Sequence, residues 1–127
     1  LVGTDGAETL NGTANTDMIF GLLGANTING LGGSDLLCGG SDVDSISGDE
    51  GDDMLYGGRG NDRMAGGPGA DFFSGGPGTD TATDFTASQE DSQDGTVENT
   101  TPGATGETGD PTEPKITSRL FLPAVQN

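Results

Sequence analysis

A nine-residue period constrains this chain more than any other feature. Glycine recurs at Gly3, Gly12, Gly21, Gly30, Gly39, Gly48, Gly57, Gly66 and Gly75 without insertion or deletion. The sixth place of each unit reads Glu8, Asp17, Asn26, Asp35, Asp44, Asp53, Asp62, Asp71 and Asp80. The eighth reads Leu10, Ile19, Ile28, Leu37, Ile46, Leu55, Met64, Phe73 and Ala82, all apolar. The pattern is cleanest from Gly57 to Asp80, in the run GGRGNDRMAGGPGADFFSGGPGTD. A fixed period of this kind is the signature of a solenoid. A unit so short cannot bury an apolar face by itself, so its neighbours must cover it.

The letters of one unit dictate its local form. Glycine at the first, second and fourth places permits positive φ and a tight loop. Asn15 and Asp42, which stand at fourth places, can adopt that conformation as well. Places seven to nine make a very short strand whose middle residue points one way and its neighbours the other. The apolar eighth-place column therefore points inward. Stacking such strands at about 4.8 Å gives parallel sheets around a thin aliphatic core. The expected fold is all-β, a parallel solenoid of nine nonapeptide repeats.

Composition narrows the partners. The 127 residues carry 21 acids and 4 bases, a net charge of -17. This excludes nucleic acid and anionic membrane surfaces as natural partners and favours cations. Hydrophobic residues are 29% of the chain and Trp is absent, so no conventional core forms. The absence of His removes His-dependent metal sites and nucleophiles. A single Cys removes any intrachain disulfide framework. No apolar run reaches membrane-spanning length. The chain opens Leu1-Val2, with neither Met nor a signal peptide, and the repeat register continues backwards into those two residues; a fragment or processed product is expected. The stretch Asp42-Val43-Asp44 begins like an EF-hand loop but reaches Ile46 where an oxygen ligand belongs. No phosphate loop, nucleophile elbow or other catalytic constellation occurs, and no enzyme activity is expected.

The array resembles the RTX family, whose repeat Gly-Gly-x-Gly-x-Asp-x-U-x (U apolar) builds a calcium-bound parallel β-roll. The match runs from Gly3 to Thr83. The resemblance implies a six-residue loop and a three-residue strand per unit. Two units would make one right-handed coil, with strands alternating between facing sheets. Calcium would sit between loops stacked on one edge, two units apart. The resemblance also implies a secreted, extracellular bacterial protein. The expectation is a calcium-binding structural roll. The alternatives are the C-terminal module of a larger RTX enzyme or toxin, such as a protease or lipase, and an adhesin stalk.

Calcium takes roughly six to eight hard oxygens. On the implied pairing, Asp17, Asp35, Asp53 and Asp71 share one edge, and Glu8, Asn26, Asp44, Asp62 and Asp80 the other. The pairs 17/35, 35/53, 53/71, 44/62 and 62/80 make five strong sites. The pairs 8/26 and 26/44 contain uncharged Asn26 and are expected to be weak or empty, which sets an upper limit of seven. Backbone carbonyls of Gly57, Gly58, Gly60, Gly66, Gly67, Gly69, Gly75, Gly76 and Gly78 would complete the shells. Early units carry Thr4, Thr13, Leu22 and Leu31 at the second place, so tighter binding is expected in the C-terminal half. Gly3 to Thr83 holds 13 acids and two bases, a net -11, which stacking would concentrate. Calcium would relieve that repulsion and couple binding to folding.

The outward places differ between the two sheets. Met18, Phe20, Leu36, Met54, Tyr56 and Phe72 make one outer face largely apolar, a candidate docking surface for the tail, a neighbouring domain or a second copy. The expected organisation is a roll over 1–85, a flexible acidic linker over 86–114 and a short apolar segment over 115–127. The last of these stands where RTX proteins carry a secretion signal.

Overall fold

A computed structural model describes residues 1–85 and 90–101. These residues hold eleven strands and no helix: β1 (Thr9–Asn11), β2 (Met18–Leu22), β3 (Thr27–Gly32), β4 (Leu36–Gly40), β5 (Ser45–Glu50), β6 (Met54–Gly58), β7 (Arg63–Ala65), β8 (Phe72–Ser74), β9 (Thr81–Ala82), β10 (Ser92–Gln93) and β11 (Asn99–Thr100). Odd strands form one sheet in the order β1-β3-β5-β7-β9-β11, and even strands the other, β2-β4-β6-β8-β10. Every pairing is parallel. From β1 to β9 each residue lies beside the one eighteen further on, as in Thr9 beside Thr27 and Met54 beside Phe72. The chain is a β-solenoid of about five turns.

The core is the eighth-place column. Leu10, Ile19, Ile28, Leu37, Ile46, Leu55, Met64, Phe73 and Ala82 are all buried between the sheets. Their neighbours at places seven and nine face outward. On the even sheet Met18 and Met54 are exposed, while Phe20, Leu36, Tyr56 and Phe72 are half-buried. The Tyr56 and Phe72 rings lie 5.9 Å apart along that outer face.

Glycine at the first place is required by close approach. A Cβ on Gly48 would overlap the carboxylate of Asp53 in the same unit, and one on Gly66 would overlap Asp71. At the fourth place, Gly51 has φ 128° and lies directly against the Gly33 carbonyl of the coil below. Leu22 and Leu31 hold φ of 77° and 83° at second places, at a cost of about 1–2 kcal/mol each. Asp42 takes φ 74° at its fourth place, as expected, whereas Asn15 is not among the positive-φ residues.

The roll continues past the last nonapeptide. Where the sequence suggests a linker, Ser92–Gln93 pairs with Phe72–Phe73 and Asn99–Thr100 pairs with Thr81–Ala82. Phe85 and Val97 are buried with the core column, and the Phe85 ring lies 5.9 Å from that of Phe73. This coil covers the backbone amides of the coil before it. The Asp84 carboxylate accepts from the N–H groups of Gly66 (2.8 Å) and Gly67 (2.7 Å). The Thr96 hydroxyl oxygen accepts from Gly75 (2.7 Å) and Gly76 (3.0 Å). The rest of the expected linker and the segment 115–127 lie outside the described residues.

Because the core is one residue wide, its members are individually consequential. Leu55→Ala should cost about 2–5 kcal/mol, whereas Met54→Ala next to it, half-exposed, should stay within about 0.5 kcal/mol. Denaturant unfolding of the two variants under the same folding conditions checks the contrast.

Candidate metal centre

Each sixth-place side chain sits where its loop turns into the strand. There it lies beside the first-place glycine of its own unit, which has no Cβ to obstruct it; it is half-buried at Glu8 and Asp17 and buried from Asn26 to Asp80. The eighteen-residue register stacks these side chains in two columns. From Asn26 onward, one oxygen of each accepts the main-chain N–H of the sixth-place residue one coil earlier. Asp17 donates to Asp35 (2.7 Å), Asp35 to Asp53 (2.8 Å) and Asp53 to Asp71 (2.9 Å). On the other edge Glu8 donates to Asn26 (3.0 Å), Asn26 to Asp44 (2.7 Å), Asp44 to Asp62 (2.8 Å) and Asp62 to Asp80 (2.7 Å). The two expected columns are thus each brought together as a continuous ladder.

The other oxygen is the unusual feature. Oδ2 of Asp35, Asp44, Asp53, Asp62, Asp71 and Asp80 is buried and accepts no hydrogen bond. Six buried carboxylate oxygens without a donor are costly in any fold. First-place carbonyls lie close by: the space beside Gly30 that a Cβ would fill is bounded by Asp35 Oδ2 and the Gly48 carbonyl. The same holds beside Gly39, bounded by Asp44 and Gly57, and beside Gly48, bounded by Asp53 and Gly66. These are hard oxygen acceptors that a cation would satisfy, and their chemistry fits calcium. Among the described residues no three carboxylates, thiols or imidazoles converge, so main-chain carbonyls must supply part of any shell.

Electrostatics follow the geometry. Burial, with Asp35, Asp49 and Asp52 nearby, pushes the Asp53 carboxyl up to about 6, partly opposed by the Asp35 amide. Burial, with Asp44 and Asp80 as neighbours, raises Asp62 to about 7. Burial, with Asp91 and Asp53, does the same for Asp71, again to about 7. Asp35, Asp44 and Asp80 are raised for the same first reason. Glu8 differs: hydrogen bonds from Thr4 hold it below the usual carboxylate range.

Two further acids join the columns. Asp71 N–H donates to Asp91 (2.9 Å) and Asp80 N–H to Glu98 Oε1 (2.6 Å). Both lie beyond the nonapeptide array. Glu98 keeps the eighteen-residue step from Asp80, a signal present in the sequence, whereas Asp91 stands twenty from Asp71.

The sequence model of the RTX calcium-binding nonapeptide repeat matches four times, over residues 2–37, 11–46, 39–73 and 47–82. The chain belongs to the RTX calcium-binding nonapeptide repeat family. Its repeats form a calcium-binding repeat domain. Searches of curated proteins and of solved structures found no match. Among the described residues no helix is long and apolar enough to cross a membrane.

The raised carboxyls give the metal-free RTX roll a definite pH dependence. Their folded values of about 6 to 7 lie above the unfolded value near 4, so the folded state binds protons more tightly. That stabilisation is complete below about pH 4 and is lost as pH rises through 6 to 7. In chelator, β content measured by circular dichroism should therefore increase on acidification from pH 8 to pH 4. A decrease over that range would contradict the assignment.

Proposed function

We propose that this RTX roll is a secreted structural module whose folding is coupled to extracellular calcium. The observation that carries the reading is the set of six buried Oδ2 atoms with no hydrogen-bond donor. Asp35, Asp44, Asp53, Asp62, Asp71 and Asp80 would hold the ions, with main-chain carbonyls of the stacked loops completing the shells. Calcium, when bound, supplies two positive charges per ion to an array with a net -11 from Gly3 to Thr83. Without it, the loops must bury like charges a coil apart around a core one side chain wide. Extracellular calcium modules work at about 10⁻⁴ to 10⁻³ M. A roll in that range is loose inside a cell and ordered outside it.

We read the module as structural rather than catalytic. Its acids recur in register along two edges instead of converging in a pocket. The largely apolar outer face over β2, β4, β6 and β8 belongs to this reading as a docking surface.

Calcium titration followed by circular dichroism and calorimetry tests the reading. β content should rise cooperatively with calcium up to the millimolar range and fall again on adding chelator. Asp62→Asn should move the midpoint to higher calcium. Identical spectra in chelator and in millimolar calcium would sink it.

A further inference from the structure

The nine loops are not equivalent, and the difference lies in how the second oxygen of the sixth-place side chain is satisfied. In the first unit, Thr4 gives both its N–H and its hydroxyl to Glu8 Oε2, the hydroxyl at 2.7 Å. In the second, Thr13 does the same to Asp17 Oδ2, N–H at 2.7 Å and hydroxyl at 2.9 Å. These two loops also have a different backbone. Every loop from the third to the ninth carries positive φ at its second and fourth places, from Leu22 and Gly24 to Gly76 and Gly78. The first two carry none at those places. A loop with threonine at the second place folds back to donate to its own acid.

The third loop has the later backbone but a different side chain. Asn26 Oδ1 accepts the Glu8 N–H, which fixes the amide so that Nδ2 points into the loop. Nδ2 donates to the carbonyls of Leu23 (3.2 Å) and Gly24 (3.0 Å), at the third and fourth places. It stands beside Gly21 as the unpartnered Oδ2 of Asp35 stands beside Gly30. Where Asn26 brings a donor, Asp35, Asp44, Asp53, Asp62, Asp71 and Asp80 bring a further acceptor. An acceptor in that position calls for a cation or a proton; a donor calls for neither.

Building on the calcium reading above, we propose that the first three loops are cation-independent, with Thr4, Thr13 and Asn26 acting in place of an ion. Calcium demand then begins at Asp35 and runs to Asp80. The N-terminal coil and a half is a built-in end cap that orders without metal. This places Asp17 outside the set of ligands despite its position in an Asp column. It also makes the third loop a calcium site blocked by one amide.

Equilibrium calcium binding to the full chain, read as ions per chain by calorimetry or competition with a chromophoric chelator, tests this. Asn26→Asp should bind one more calcium than wild type. Asp17→Asn should bind the same number as wild type, while Asp53→Asn should lose at least one. An unchanged count in a folded Asn26→Asp variant overturns the proposal. So does an Asp17→Asn variant that loses calcium as Asp53→Asn does, a result that stands whether or not Asn26→Asp folds. A wild-type chain that takes up no calcium overturns this proposal together with the calcium reading, whereas a wild type that binds calcium with the wrong pattern of variants overturns this one alone.

Discussion

A buried acceptor without a donor governs this molecule. From Asp35 to Asp80 the stacked register gives each sixth-place carboxylate one good hydrogen bond, from the amide of the coil before it, and leaves the second oxygen with none. The rest of the architecture makes that arrangement unavoidable. The first-place glycine must lack a Cβ for the carboxylate to fit beside it. The short strand must be one apolar residue deep for the coils to stack at sheet spacing. The two together bring acids of successive coils into a column, where burial raises their proton affinity. A proton and a divalent ion are then alternative solutions to the same electrostatic problem, and they compete.

The core alone does not hold such a structure together. One buried side chain per strand, with Ala82 as the ninth, is a small hydrophobic contribution for a hundred-residue span. The ladders supply directionality rather than bulk. Each carboxylate-to-amide bond fixes the register of one coil on the next, so a slip would cost a charged hydrogen bond at every loop. The C-terminal coil uses the same logic with different letters. Asp84 and Thr96 each cover a pair of adjacent glycine amides in the coil before.

Much of this was legible in the letters. The eighth-place column is the core, the sixth-place acids form two columns, and the sheets alternate with an eighteen-residue register. All three follow from counting in nines, because a solenoid translates sequence period directly into position. The coil beyond Phe85 escaped that count for a physical reason. Asp91 follows Asp80 by eleven residues and Glu98 follows Asp91 by seven, so the coil keeps its full length while its halves are unequal. A nonapeptide ruler lands on Glu98 but misses Asp91. The roles of Thr13 and Asn26 were hidden differently. The motif treats a missing glycine or a missing charge as a weakness, whereas the side chain that replaces it supplies the donor the loop otherwise lacks.

The absence of room beside the first-place glycines has a consequence for how such a chain can vary. At Gly48 or Gly66 even a methyl group collides with the acid of the same unit, so single-letter change is closed there. Place three on the loop rim, as at Arg59 and Pro68, remains exposed and open to change. Whole coils, by contrast, contact only their neighbours and can be gained or lost without altering any other. The quantum of tolerated change in this architecture is eighteen residues, not one.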